Sequence, residues 1–365
     1  MVGFDKEKLP PRPKILLIKL RSIGDVIYNT SVYTPLKRLF PDSHLTVLVE
    51  RPSYDLVREH PDVDEVLCFH KGSLWRQVRF YWKLFSKGYD MAIDMHEGTR
   101  GAIMCFVTQA PFRVGHKYAK RSFFYNVKLE FNDLQPKFPL DYQVALIKKL
   151  GASFDQIAPA VHLSEASREN ALRLLQENGI CPEDRYCIIH TGTRKIYNQW
   201  QCEKFARLAD ILSSRYGLKI IITCGPGEED QAQAVIDRME GTPSTFIMAE
   251  LMDLAVITEG AEFAVCHNGG YMHLASVLGT PVIALYGSVH PRVWRPLGEK
   301  DVVVYKQVEC SPCNRKTRKK ECYKGDAECM QIITVDDVLA GVDKILEGNT
   351  ELKIRAFPHR GELDR

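Results

Sequence analysis

Aliphatic runs, each closed by a polar turn and followed by an amphipathic stretch, recur along the whole chain. The first, Ile15 to Leu20, is near-continuous, as a strand buried on both faces requires. A short turn, Arg21 to Gly24, follows, and Asp25 stands where a helix begins, with that helix predicted over Val26 to Phe40, ending before Pro41. The same alternation predicts strands at His44–Glu50, Glu65–Phe69 and Tyr89–Asp94, and a short edge strand at Arg113–Gly115. Helices are expected at Tyr54–His60, Leu74–Phe85, Gly101–Thr108 and Asp141–Leu150. Between Lys117 and Pro139 no period is visible, and a loop of that length is usually functional or mobile.

Gly151 to Leu163 reads as a linker, and the alternation then restarts. Strands are expected at Arg185–His190, Lys219–Thr223, Phe246–Met248, Ala261–Cys266 and Pro281–Tyr286. Helices are expected at Ser164–Asn178, Gln201–Tyr216, after the turn Gly225–Glu229 to about Met239, Leu251–Glu259, after the tight turn His267–His273 to near Leu278, and Val335–Glu347. Strand–helix alternation builds parallel sheets, so the fold class is α/β with two Rossmann-like domains, 1–160 and 161–347, followed by a polar tail, 348–365. A length of 365 residues also exceeds one ordinary core. Two such domains facing across a cleft suit a nucleotide and a second substrate, and sites in them lie at the carboxyl ends of strands. Asp25 therefore occupies a functional position by topology, although its plain reading is a helix N-cap.

An apolar fraction of 45% and a charged fraction of 26% belong to a globular chain without an apolar run long enough to span a bilayer. The polar, proline-bearing start, Met1 to Pro13, does not resemble a signal peptide, so a cytoplasmic protein is expected. The net charge of +3 decides little, but its placement adds two basic clusters: Lys117, Lys120 and Arg121, and then Arg315 to Lys320. Neither is interleaved with aromatics in the manner of RNA-binding surfaces, so no nucleic-acid partner is expected; solvated faces, or contact with an anionic substrate or membrane surface, fit better. Seven of the eleven cysteines are scattered in apolar or helical contexts and read as reduced core residues. The other four, Cys310, Cys313, Cys322 and Cys329, fall within twenty residues and make a candidate metal site, yet their later spacings of eight and six residues match no standard zinc module.

Several chemistries are excluded by what is missing. No Gly-x-Gly-x-x-Gly follows the first strand, no P-loop occurs, and no Gly-x-Ser-x-Gly elbow is present. What remains are two glycine-bearing turns, Gly225-Pro-Gly227 and Asn268-Gly269-Gly270, each placed between a strand and a helix. Backbone N–H groups at a helix N-terminus bind phosphate, and glycine permits close approach. Either turn alone is as readily an ordinary tight turn; two in one domain favour a diphosphate site.

Four segments carry a resemblance: Ile18-Lys-Leu-Arg-Ser-Ile-Gly-Asp-Val26, Asp94-Met-His-Glu-Gly-Thr-Arg100, His190-Thr-Gly-Thr-Arg194 with Trp200, and Gly269-Gly-Tyr-Met-His-Leu-Ala275. In order and spacing they are similar to glycosyltransferase family 9, the heptosyltransferases of lipopolysaccharide core assembly, over about residues 13 to 347. The resemblance implies GT-B architecture, with acceptor bound by the first domain and nucleotide sugar by the second. It implies an inverting, metal-independent transfer from ADP-heptose to a lipopolysaccharide-core or related glycan acceptor, with no cofactor required. Asp25 matches the proposed general base. Thr193, Arg194, Lys195, Asn198, Gly225, Asn268, Gly269, Gly270 and His273 fall in regions that meet the donor. Lys19, Arg21, Ser22, His96, Arg100, Lys117, Lys120 and Arg121 fall in regions that meet the acceptor. A lipid-linked or oligosaccharide acceptor implies peripheral contact with the cytoplasmic face of the inner membrane. Two positions depart from the family pattern: Asn198 replaces a common Lys, and Asn268-Gly269-Gly270 replaces Asp-Ser/Thr-Gly. The alternatives are a non-catalytic or altered nucleotide-sugar-binding GT-B protein, or a nucleotide-sugar epimerase, for which no matching set of acidic and histidine groups is found.

Overall fold

The computed structural model describes residues 4–130, 138–241, 244–313 and 322–347. Contacts divide the chain into two compact units, Met1–His162 and Leu163–Arg365. The basic run Arg315 to Lys320 and the tail 348–365 lie outside the described residues.

The first unit opens with β1 (Lys14–Ile18), whose last four residues are buried, followed by α1 (Ile23–Asn29) and α2 (Tyr33–Leu39). Next come β2 (His44–Glu50), α3 (Tyr54–Arg58), β3 (Glu65–Phe69) and α4 (Leu74–Ser86). The unit closes with β4 (Met91–Asp94), α5 (Thr99–Val107), β5 (Phe112–His116), β6 (Val127–Leu129) and α6 (Pro139–Lys149). Its strands form one sheet in the order β3-β2-β1-β4-β5-β6, and every pairing is parallel.

Three expectations change here. The helix predicted over Val26–Phe40 is broken by a 3₁₀ turn, Thr30–Val32. The Thr30 and Ser31 hydroxyls donate to the carbonyls of Ile27 and Tyr28, competing with the helical ladder, and Pro35 has no N–H to continue it. The 113–115 strand is not an edge, because β6 pairs with it on the outer side. The segment read as one long loop therefore carries a strand and a 3₁₀ turn, Ser122–Phe124; its residues 131–137 lie outside the described ones.

The second unit runs α7 (Glu165–Glu177), β7 (Tyr186–His190), α8 (Cys202–Tyr216), β8 (Lys219–Thr223), α9 (Glu229–Ile236) and β9 (Ser244–Phe246). It continues through α10 (Leu251–Glu259), β10 (Ala264–His267), α11 (Gly270–Val277) and β11 (Val282–Tyr286). It ends with β12 (Val302–Tyr305), α12 (Glu328–Gln331) and α13 (Val335–Glu347). The sheet order is β12-β11-β10-β7-β8-β9, again all parallel. Apolar clusters line both of its faces: Ile189, Trp200, Phe205 and Val265 belong to one, and Ile188, Ile221, Met272 and Ala284 to the other. That two-sided burial is why these strands read as continuous aliphatic runs. β12 went unassigned from sequence, although its Val-Val-Val-Tyr has strong strand propensity.

Candidate active site

In each unit the strand order reverses once, and loops on either side of that point leave a crevice at the strands' carboxyl ends. In the first unit the reversal falls between β1 and β4, and in the second between β7 and β10.

The loop after β1 holds Lys19, Arg21 and Ser22, and the first turn of α1 holds Asp25. Asp25 is not the N-cap; Ser22 is, and Asp25 sits three residues into the helix. Its Oδ2 accepts from the Ser22 amide at 3.1 Å and from the Ser22 hydroxyl at 3.0 Å. Its Oδ1 pairs with the Lys19 ammonium at 3.0 Å. Lys19 is buried and also donates to the Met95 carbonyl at 3.0 Å, tying the two loops of the switch point together. The Asp25 side chain remains 21% exposed, so the carboxylate is fixed yet reachable.

Lys19, Asp25, Met95, His96 and Glu97 line a cavity of about 230 Å³ whose other wall is α6, through Tyr142 and Gln143. His96 is held down at about 4 by burial and by the charges of Lys19 and Arg21, so its imidazole is neutral at neutral pH. Beneath the loop, Asp94 receives the Tyr125 hydroxyl at 2.5 Å and the His96 amide at 2.8 Å, and burial pushes its carboxyl up to about 6. Gly101 is required here, because a Cβ would come within 2.4 Å of Asp94 Oδ1.

The other expected acceptor residues are placed differently. Arg100 turns to Glu50, at 3.2 Å, and over the Phe69 ring. Lys117 pairs with Glu130. The Lys120 amide reaches the Glu97 carbonyl at 3.4 Å, and Arg121 occupies the left-handed region, as Glu97 also does. The 117–121 loop thus abuts the cavity's rim without lining it. A larger cavity of about 760 Å³ lies at the amino ends of β1–β3, where Lys37–Asp64 and Lys87–Glu65 pairs close its charges.

In the second unit, the loop after β7 carries Thr193, an exposed Arg194, and Lys195, whose ammonium stands 5.5 Å from the Tyr197 ring centre. His267, which ends β10, holds this loop. Its Nε2 accepts from the Trp200 amide at 2.9 Å, so its proton sits on Nδ1 and is shared with the Gly192 carbonyl at 3.2 Å. Burial lowers His267 to about 4, keeping that neutral tautomer. His190 is also buried, stacks on Tyr271 at 4.3 Å and is lowered to about 3. Neither histidine is assigned a role from sequence, although each ends a strand, His190 as the first residue of a quoted motif and His267 just before another.

Gly269 caps α11 and Gly270 is its first residue. Gly269 is exposed, with extended backbone, and a Cβ there would meet only the His267 carbonyl at 3.9 Å. The first-turn amides of such a helix have no partner within it and point outward. Asn268 leaves Oδ1 buried without a hydrogen-bond partner among the described residues. His273 is buried within α11 and faces Trp294 at 5.8 Å. Asn198 is buried and accepts from the Ser288 amide at 3.3 Å, which makes it a brace between two loops.

The other glycine turn departs from expectation. The Gly225 amide donates to Glu228 and the Gly227 amide to Glu229, each at 3.0 Å. The helix brings its own acceptors, so these amides are not free for phosphate. The Glu228 carboxylate also presses on Gly192, where a Cβ would stand 1.9 Å from it.

Cys310, Cys313, Cys322 and Cys329 are thiols, and Cys313 and Cys329 are buried. Burial and the three neighbouring sulfurs push Cys329 up to about 11. Among the described residues no three His, Cys, Asp or Glu side chains are arranged to hold a metal ion.

Two all-parallel Rossmann-like units, with candidate groups at the switch point of each, define the GT-B fold of glycosyltransferases. The profile of glycosyltransferase family 9 (heptosyltransferase) matches residues 77–324, and the chain belongs to that family and is a glycosyltransferase. Lipopolysaccharide heptosyltransferase 3 of Escherichia coli is 22% identical over 342 residues, covering 90% of this chain and 96% of the relative. A glycosyl transferase family 9 structure from Veillonella parvula superposes with a TM-score of 0.81 at 21% identity, covering 95% of this chain and 100% of that one. The E. coli heptosyltransferase WaaC with ADP-2-deoxy-2-fluoro heptose gives 0.67 at 21% identity, covering 91% and 99%.

Proposed function

We propose that the protein transfers a heptose from ADP-heptose to a hydroxyl of a lipopolysaccharide-core or related glycan, with inversion at the anomeric carbon and without a metal. The observation that carries this reading is the carboxylate of Asp25, fixed by Lys19 and Ser22 at the edge of the switch-point cavity. A carboxylate held at one place and still reachable suits a general base. In this reading the acceptor oxygen attacks the anomeric carbon while Asp25 takes its proton. The bond from that carbon to the diphosphate oxygen breaks, and ADP departs with the electron pair.

Charge developing on the diphosphate is met by the Gly269 and Gly270 amides and by Arg194, with Thr193 and Lys195 in the same loop. His96 then offers a neutral imidazole to the acceptor, while Arg21 offers a cation. The Escherichia coli relative is a lipopolysaccharide heptosyltransferase, which supports a lipopolysaccharide acceptor here, and with a lipid-linked acceptor the protein works at the cytoplasmic face of the inner membrane. No helix among the described residues is long and apolar enough to cross a membrane.

The test is a thermal-shift panel of nucleotide sugars. ADP and ADP-heptose should raise the melting temperature and UDP-sugars should not; a shift with UDP-sugars alone, or with no nucleotide, contradicts the reading.

A further inference from the structure

Helix α4 presents a second, unpartnered surface, on unit 1 but apart from the cavity just described. Its sequence, Leu-Trp-Arg-Gln-Val-Arg-Phe-Tyr-Trp-Lys-Leu-Phe-Ser, contains no acidic residue. Leu84 is buried, and Phe80 and Tyr81 pack on the apolar core beneath, with Phe80 5.3 Å from Phe69. One face is thus satisfied by the fold. A different face is apolar as well: Leu74 is 76% exposed, Trp75 83%, Val78 48%, Trp82 67% and Phe85 46%. Positions 74, 78, 82 and 85 fall on one helical stripe, and Trp75 widens it by one residue. Exposed large residues standing singly need no explanation, but a contiguous stripe with two tryptophans does.

Beside that stripe stand Arg76, Arg79 and Lys83, all exposed and, among the described residues, outside any ion pair. Lys83 contributes only at longer range to holding Glu65 ionised. Glu50 and Glu65, on the neighbouring strands, are already taken by Lys71, Arg100 and Lys87. The helix therefore shows an apolar stripe rich in tryptophan, a cationic border and no negative charge. Those are the features of a helix that lies in a bilayer interface, apolar side chains among the acyl chains and cations among anionic headgroups. A self-complementary dimer face would have to bring two such cationic borders together without a carboxylate on the helix to neutralise them.

We propose that α4 docks unit 1 on the surface of an anionic phospholipid bilayer. The inference deepens the proposed membrane-face location, and vesicle binding is measured without turnover, so its failure is distinguishable from failure of the donor assignment.

Sedimentation of the full chain with phosphatidylethanolamine vesicles containing phosphatidylglycerol, and with phosphatidylcholine vesicles, tests it. The chain should pellet with the anionic vesicles, release at high salt and bind phosphatidylcholine weakly. Replacing Arg76, Arg79 and Lys83 together by Gln should weaken anionic-vesicle binding about 10²-fold, since each surface-facing cation contributes about fivefold. Trp75→Glu with Trp82→Glu should abolish binding; both sites are exposed, and an unchanged melting temperature checks the fold. Brominated lipid should quench the wild-type tryptophan fluorescence. Failure to pellet, or pelleting unchanged in both variants, overturns the proposal. So does a wild-type dimer that the tryptophan substitutions make monomeric while vesicle binding is absent, since α4 would then be a self-association face.

Discussion

The Asp25 carboxylate is held through both oxygens, one by a buried ammonium and the other by the cap of its own helix. Ionised, it has about four acceptor sites, and these three contacts leave room for an acceptor hydroxyl. The cap reading and the base reading therefore meet in one residue, with Ser22 doing the capping and Asp25 closing the box. Gly269 is a second position where a single residue decides the matter. Its backbone is extended and a Cβ there has space, so neither conformation nor packing demands glycine. Gly269→Val should keep the wild-type melting temperature yet weaken ADP binding by an order of magnitude or more in calorimetry, because the branched side chain covers the amides. Unchanged ADP affinity would remove this turn from the donor site.

At the scale of elements, the strands were legible because burial on both faces leaves an uninterrupted aliphatic signature, as in Ile15–Ile18 and Lys219–Thr223. Loops were legible in position and less so in bonding. Gly225-Pro-Gly227 and Asn268-Gly269-Gly270 look alike in sequence, but only the structure shows Glu228 and Glu229 satisfying the amides of Gly225 and Gly227. The break between α1 and α2 depends on hydroxyl rotamers at Thr30 and Ser31, which no periodicity reports. The role of His267 depends on meeting the Trp200 amide across 67 residues of sequence, a tertiary fact. That contact makes an element-scale prediction. His267→Phe keeps the ring's bulk but strands the Trp200 amide and the Gly192 carbonyl, at a cost of about 1–3 kcal/mol. Chemical denaturation should show that loss, and ADP affinity should fall as the 191–200 loop loosens. A fully stable variant with normal ADP affinity would mean the loop is held elsewhere.

For the whole molecule, the buried histidines set an acid limit. His60, His96 and His267 are lowered to about 4 and His190 to about 3, all chiefly by burial. In the unfolded chain they protonate near 6.5, so between about 6.5 and 4 the unfolded state binds more protons and stability falls as pH falls. Asp94 acts oppositely: raised to about 6, it favours the folded state as pH drops below 6, offsetting part of the loss in unit 1. In unit 2, burial raises the carboxyls of Asp253 and Asp301 in the same sense, while the protons excluded from His190 and His267 correspond to at most about 2.7 kcal/mol per pH unit. Calorimetry from pH 7.5 to about 4.5 should therefore show the melting temperature falling. A melting temperature flat across that range would contradict the burial of these imidazoles.

The central claim, that Asp25 is the base of a heptosyl transfer, is tested most directly by its isosteric amide. With ADP-heptose and a core-oligosaccharide acceptor, release of ADP by Asp25→Asn should be about 10²–10⁴-fold slower than by the wild type, while ADP affinity stays the same. Turnover at the wild-type rate would contradict the account and leave Asp25 as a closure of its helix alone.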